Sequence, residues 1–106
     1  MLQVAARRVR SEHVDELREW LKTVNGRRRA EALATLVDEA CSHEQAFLVN
    51  AAEGPILVYV MEVEDLERSR QVAEVSTHPI DAEHKQVMQR ALGDVVPIEL
   101  LLDLRT

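Results

Sequence analysis

One cysteine, three glycines and three prolines are all that 106 residues hold of the types on which many specialised sites depend, and the aromatic side chains are only Trp20, Phe47 and Tyr59. A lone Cys41 excludes an intrachain disulfide framework and any Cys-x-x-Cys pair, and it suits a reducing compartment. So few glycines leave no glycine-rich loop to cradle a phosphate, and no Gly-x-Ser-x-Gly elbow presents a serine nucleophile. Three aromatic rings cannot build a base-stacking platform. Long apolar runs are also missing: none would span a bilayer, and the first twelve positions lack the apolar core of a secretory leader. The expectation is a cytoplasmic protein with no membrane partner. Positive charge is in deficit, the net charge being −6 and the pI about 5.2, which opposes broad attraction to nucleic-acid phosphates. The clusters Arg7, Arg8, Arg10 and Arg27, Arg28, Arg29 are read as solvated or ion-paired.

What is present is a globular balance, 46% hydrophobic and 30% charged, at a length that fits one domain over residues 1–106. Leu2, Val4 and Ala6 alternate with Gln3, Ala5 and Arg7, predicting a strand over 2–9. Ser11 offers an N-cap, and Val14, Leu17, Leu21 and Val24 then recur at helical spacing up to Asn25-Gly26. A second helical stretch is expected over 27–42, with Ala30, Leu33, Val37 and Ala40 as its apolar stripe and Cys41 beside it, a buried structural thiol. Strands over 45–51 and 55–63 flank a turn at Glu53-Gly54 and form a hairpin. Glu64-Asp65 opens a helix to about Val75, Pro79 opens another to about Leu92, and a last strand is expected over 95–104 with Val96, Ile98, Leu100, Leu102 and Leu104 at period two.

The order β-α-β-β-α-β, with each helical crossover split in two, predicts an α+β fold of ferredoxin-like type whose helices cover one face of a four-stranded antiparallel sheet. The 55–63 strand and the last strand are apolar on both faces, so the second sheet face calls for another cover. A second copy of the chain is the simplest one, and a homodimer is expected.

Three passages carry a resemblance: Glu16-Leu17-Arg18-Glu19-Trp20, Tyr59-Val60-Met61-Glu62-Val63-Glu64-Asp65, and His78-Pro79-Ile80-Asp81 followed by Glu83-His84. Through them the chain resembles the dimeric α+β barrel superfamily, and within it a small prokaryotic family of unknown function. The resemblance implies a homodimer with a cleft between helices and sheet. Similar barrels include cofactor-free monooxygenases, haem-degrading enzymes, sugar mutarotases and domains without known activity, so fold alone fixes no chemistry. Few aromatic residues argue against a monooxygenase pocket, and the absence of a tyrosine on the first helix argues against a mutarotase pair.

Among the four histidines, His13, His43, His78 and His84, none forms a His-x-x-x-His pair, so no metal site and no cofactor is expected. The candidate catalytic groups are His84, His78 and Glu62, and the candidate ligand contacts are Tyr59, Asp81 and Trp20. His84 shares a helix face with Ile80, Val87, Met88 and Ala91, so its imidazole needs a polar partner, with Glu62, Tyr59 or a backbone carbonyl foremost. His78-Pro79-Ile80-Asp81 doubles as a helix start, with Asp81 favoured by the helix dipole. Glu62 falls on the face of Ile56, Val58 and Val60, at the rim of a cavity or simply at the strand's exposed end. The function expected is binding of a small molecule in the cleft, the alternative being a cofactor-independent oxygenase or isomerase that uses histidine and carboxylate groups.

Overall fold

The computed structural model describes residues 1–106. It runs β1 (Leu2–Val9), a 3-10 turn (Ser11–His13), α1 (Val14–Asn25), α2 (Arg29–Asp38), β2 (Cys41–Ala51), β3 (Gly54–Val63), α3 (Leu66–Glu74), α4 (Pro79–Ala91) and β4 (Leu92–Val96). The strands form one antiparallel sheet in the order β2-β3-β1-β4. β2 and β3 are joined through Ala52-Glu53, and Gly54 takes a φ of 123° that a side chain would strain.

Register assigns the faces. Ala5 and Arg7 of β1 sit opposite Tyr59 and Leu57 of β3, and Ala46 and Leu48 of β2 sit opposite the same two residues. Because side chains alternate, these positions line one face together. The helices pack there: Leu57 joins Val9 with Leu17 of α1 and Val87 and Ala91 of α4 in the core, and Leu17 is 1% exposed. The opposite face carries Leu2, Val4, Ile56, Val58, Val60, Phe47 and Val49. Leu2, Val4, Phe47 and Val49 stand exposed on it.

Local chemistry fixes the joins. Asp65 caps α3, its carboxylate accepting from the Arg68 amide at 3.2 Å. Arg10 donates to the carbonyls of Gln89, Arg90 and Leu92 where α4 ends, placing a cation on the negative end of the helix dipole. The β1–β4 register slips between Arg7 and Val9, and the Arg7 guanidinium donates two hydrogen bonds, 2.8 and 2.6 Å, to the Gly93 carbonyl beside the slip.

Four expectations are corrected. Ser11 opens the 3-10 turn, and α1 begins after His13 without a side-chain cap. The second helix ends at Asp38, and Cys41 is the first residue of β2, because Ala40 takes a left-handed φ of 53° that breaks the helix before the cysteine. The stripe expected inside on α2 faces out, with Leu33 48% and Val37 78% exposed, while Thr35 turns inward. Apolar periodicity marks a face that wants cover, and one chain does not cover this one. The last strand stops at Val96 rather than Leu104, since Pro97 offers no N–H to a ladder and the residues beyond find no neighbouring strand.

Candidate functional site

α1 and α4 lie side by side over the sheet, both presenting an apolar stripe to it. Leu17 takes the core position on α1, and the next turn places Trp20 and Leu21 at the edge of that core. On α4 the residues Ile80, Val87 and Ala91 are buried, and His84 stands on the same stripe between them. The stripe thus carries an imidazole to where it meets Trp20 from α1 and Tyr59 from β3.

The three side chains form a chain of hydrogen bonds. Trp20 Nε1 donates to His84 Nδ1 at 2.9 Å, and His84 Nε2 lies 3.5 Å from the Tyr59 hydroxyl. An indole N–H only donates, so Nδ1 must present its lone pair and the imidazole carries its single proton on Nε2. The Nε2–H is thereby aimed at the phenol oxygen, at the long end of hydrogen-bond range. The Tyr59 O–H remains free to donate elsewhere. The Tyr59 and His84 rings meet edge to face, 6.3 Å between centroids.

Electrostatics keeps the chain neutral. Burial pulls the His84 pKa below 6.5, only partly opposed by Asp81. Burial, and then the nearby Glu44 carboxylate, pushes the Tyr59 phenol well above its ordinary 10.0. At neutral pH the site therefore presents an uncharged imidazole behind an uncharged phenol. Arg28 closes the outer side, its guanidinium 5.7 Å from the centre of the Trp20 ring and paired with Glu31 at 2.8 Å and with Glu83.

Tyr59 opens onto a cleft of about 760 Å³ between the α1–α2 pair and β2. Leu21, Leu33, Leu36 and Ala46 give it apolar walls, and Lys22, Arg29 and Glu44 give it charges. Glu44 opposes Met61 and so shares the sheet face of Tyr59. Its carboxyl keeps solvent access through the open cleft, yet burial by its surroundings, followed by Asp81, raises its pKa above 4.5.

A second, smaller cleft of about 380 Å³ lies between α2 and the start of α4. His78 Nε2 pairs there with Asp38 at 2.7 Å, which raises the His78 pKa. Ser76 donates its hydroxyl to Asp81 at 2.5 Å and accepts from the His78 amide at 3.2 Å, a local clasp around the start of α4. Glu39 lines the same cleft, where burial, then Asp81, raises its pKa to about 7.

Of the six candidate residues, the fold brings Trp20, Tyr59 and His84 together. His78 and Asp81 belong to the smaller cleft and are engaged by Asp38 and Ser76. Glu62 is a correction: it lies on the opposite sheet face, held at 3.3 Å by the Met1 ammonium, and is not the partner of His84. Strand alternation separates it from Tyr59, since their positions differ by an odd number. Glu44 and Arg28 were not anticipated. The signal for Glu44 was available, because it continues the alternation of Ala46 and Leu48, but only if the strand is started before Gln45. The cluster holding Arg28 was read as solvated or ion-paired, and Arg28 does pair with Glu31 and Glu83, but nothing in the sequence placed it against Trp20. No three His, Cys, Asp or Glu side chains converge closely enough to hold a metal ion, and no helix is long and apolar enough to cross a membrane.

A family model described as a family of unknown function, DUF6176, matches residues 2–106. The chain belongs to that family. No curated protein and no solved structure matches the chain. For this DUF6176 member, function has to be argued from its own residues, and the hydrogen-bonded chain ending at Tyr59 is where chemistry and an open cleft coincide.

Proposed function

We propose that this chain is a single domain of ferredoxin-like, dimeric α+β barrel type that acts as a homodimer and binds a small molecule in the Tyr59 cleft. The connection order together with the strand order β2-β3-β1-β4 supports the fold reading. The exposed apolar faces of the sheet and of α2 support association.

The observation that carries the binding reading is the Trp20–His84–Tyr59 chain, in which two residues hold a third at the cleft wall and leave its O–H free to donate. A buried imidazole can be satisfied more simply by a backbone carbonyl. Here it is locked in one tautomer by a donor-only indole and spends its remaining proton on a phenol at a cleft wall. Such a phenol donates to a carbonyl, ether or hydroxyl oxygen of a ligand whose apolar body lies against Leu21, Leu33 and Leu36.

A panel of small oxygen-bearing aliphatic compounds, screened by thermal shift and by the emission of the sole tryptophan, tests this. Tyr59→Phe keeps the ring and the fold but removes the donor, so compounds that stabilise the wild type should bind it about tenfold or more weakly, as expected for one lost hydrogen bond. Compounds that bind both proteins equally would refute the assignment.

A second reading, a cofactor-independent oxygenase or isomerase, is favoured by one observation: Glu44, with its raised pKa, shares the cleft with Tyr59 and supplies a carboxyl suited to proton transfer. In that case a compound from the same panel is converted by the wild type, and the product identifies the reaction.

A further inference from the structure

Residues 97–106 leave the sheet after Val96 and form neither helix nor strand. Their sequence, Pro97-Ile98-Glu99-Leu100-Leu101-Leu102-Asp103-Leu104-Arg105-Thr106, nevertheless alternates like a strand buried on one side. Ile98, Leu100, Leu102 and Leu104 fall on one face; Glu99, Asp103 and Arg105 fall on the other, and Leu101 alone breaks the pattern. In the single chain this apolar face is largely uncovered: Ile98 is 49% exposed, and Leu100, Leu102 and Leu104 are 77%, 71% and 81% exposed. Four large aliphatic side chains along one short segment are a patch that soluble proteins rarely leave in water.

The same chain carries an apolar surface of matching character, the open sheet face with Leu2, Val4, Phe47 and Val49 exposed. We infer that the 97–104 segment of one copy lies extended across the open sheet face of a second copy, each copy lending its segment to the other. This rests on the homodimer reading above and adds which surfaces meet. Length permits it, because residues 97–104 in extended form reach about 26 Å, whereas four strands lie about 14 Å apart from first to last. Self-complementarity favours a second copy as the occupant: segment and face are both on this chain, and a two-fold exchange makes the segment-on-face contact twice, once from each copy. That doubling brings the contact toward the roughly 1,200–2,000 Å² typical of stable interfaces. Folding back onto its own sheet is open to the segment by length, yet it stands clear of that sheet, its leucines in water.

The double variant Leu100→Glu, Leu102→Glu tests the exchange. Both side chains are exposed in the single chain, so the monomer's fold does not depend on them. Light scattering across a dilution series should give twice 12.0 kDa for the wild type and a dimer dissociation constant raised about a hundredfold or more for the variant. A wild-type monomer would overturn both the homodimer and the exchange. A wild-type dimer that the two glutamates leave unchanged would overturn the exchange alone. In a Cys41→Ala background, chains with Leu102→Cys mixed with chains bearing Phe47→Cys or Val49→Cys should form disulfide-linked pairs on oxidation. Closure within a chain carrying both cysteines, without linked pairs in the mixture, would show folding back and overturn the exchange.

Discussion

Replacing Trp20 by phenylalanine removes one N–H and leaves the His84 Nδ1 lone pair against a hydrocarbon ring. A buried acceptor stripped of its partner costs about 1–3 kcal/mol. Loss of the larger ring beneath the Arg28 guanidinium, 5.7 Å from its centre, adds about 0.5–1 kcal/mol. His84 and Trp20 are half-buried, so water reaches part of the vacated space and the lower half of the combined range applies, about 1.5–2.5 kcal/mol. For a domain of this size that lowers Tm by roughly 6–20 °C. Urea unfolding followed by circular dichroism measures it without the lost fluorophore. A titration of the His84 ring protons by NMR gives an independent reading. Burial is what lowers the His84 pKa, and the smaller ring lets water in beside the imidazole, so in Trp20→Phe that pKa should climb toward 6.5. The sign of the pH dependence follows: in the wild type the unfolded imidazole takes up a proton that the folded one refuses, so stability present above pH 6.5 is lost as pH falls through the lowered folded pKa. In Trp20→Phe that acid-side slope should shrink. A stability change under about 0.5 kcal/mol, with the His84 titration unmoved, would refute the hydrogen-bonded chain as a structural unit.

Two further outcomes are expected. Glu39 has the opposite sign: its pKa is raised from 4.5 to about 7, so the stability it contributes is present below 4.5 and lost as pH rises through 7. Glu39→Gln should exceed the wild type at pH 8 by roughly 1 kcal/mol after allowance for its solvent access, and equal urea midpoints at that pH would contradict its burial among acids. Cys41 is 6% exposed, donates to the His43 carbonyl at 3.4 Å and has its thiol pKa pushed up by burial, so native-state labelling should be slow and Cys41→Ala should cost about 1 kcal/mol. Rapid stoichiometric labelling would show the thiol to be reachable.

The alternation of Leu2–Val9, the short apolar run of the 55–63 strand, the Glu53-Gly54 turn and the proline opening α4 were legible because each is written in local sequence, where backbone geometry and turn chemistry act over a few residues. The same spacing put His84 on the buried stripe of α4 and so required a partner for it. Which partner was a tertiary matter. Tyr59 was among those named from sequence, whereas Trp20 was named only as a ligand contact, and its bond to His84 depends on how α1 lies against α4, a choice made by packing among Leu17, Val87 and Ala91 rather than by any short motif. Glu62 was left between a cavity rim and the strand's exposed end for the converse reason: its apolar neighbours identify a sheet face, but only the placement of the helices says which face is the floor of the site. The stripe on α2 and the leucines after Val96 mark the limit of reading one chain, since periodicity records that a surface is to be covered, and what covers it lies outside the local sequence.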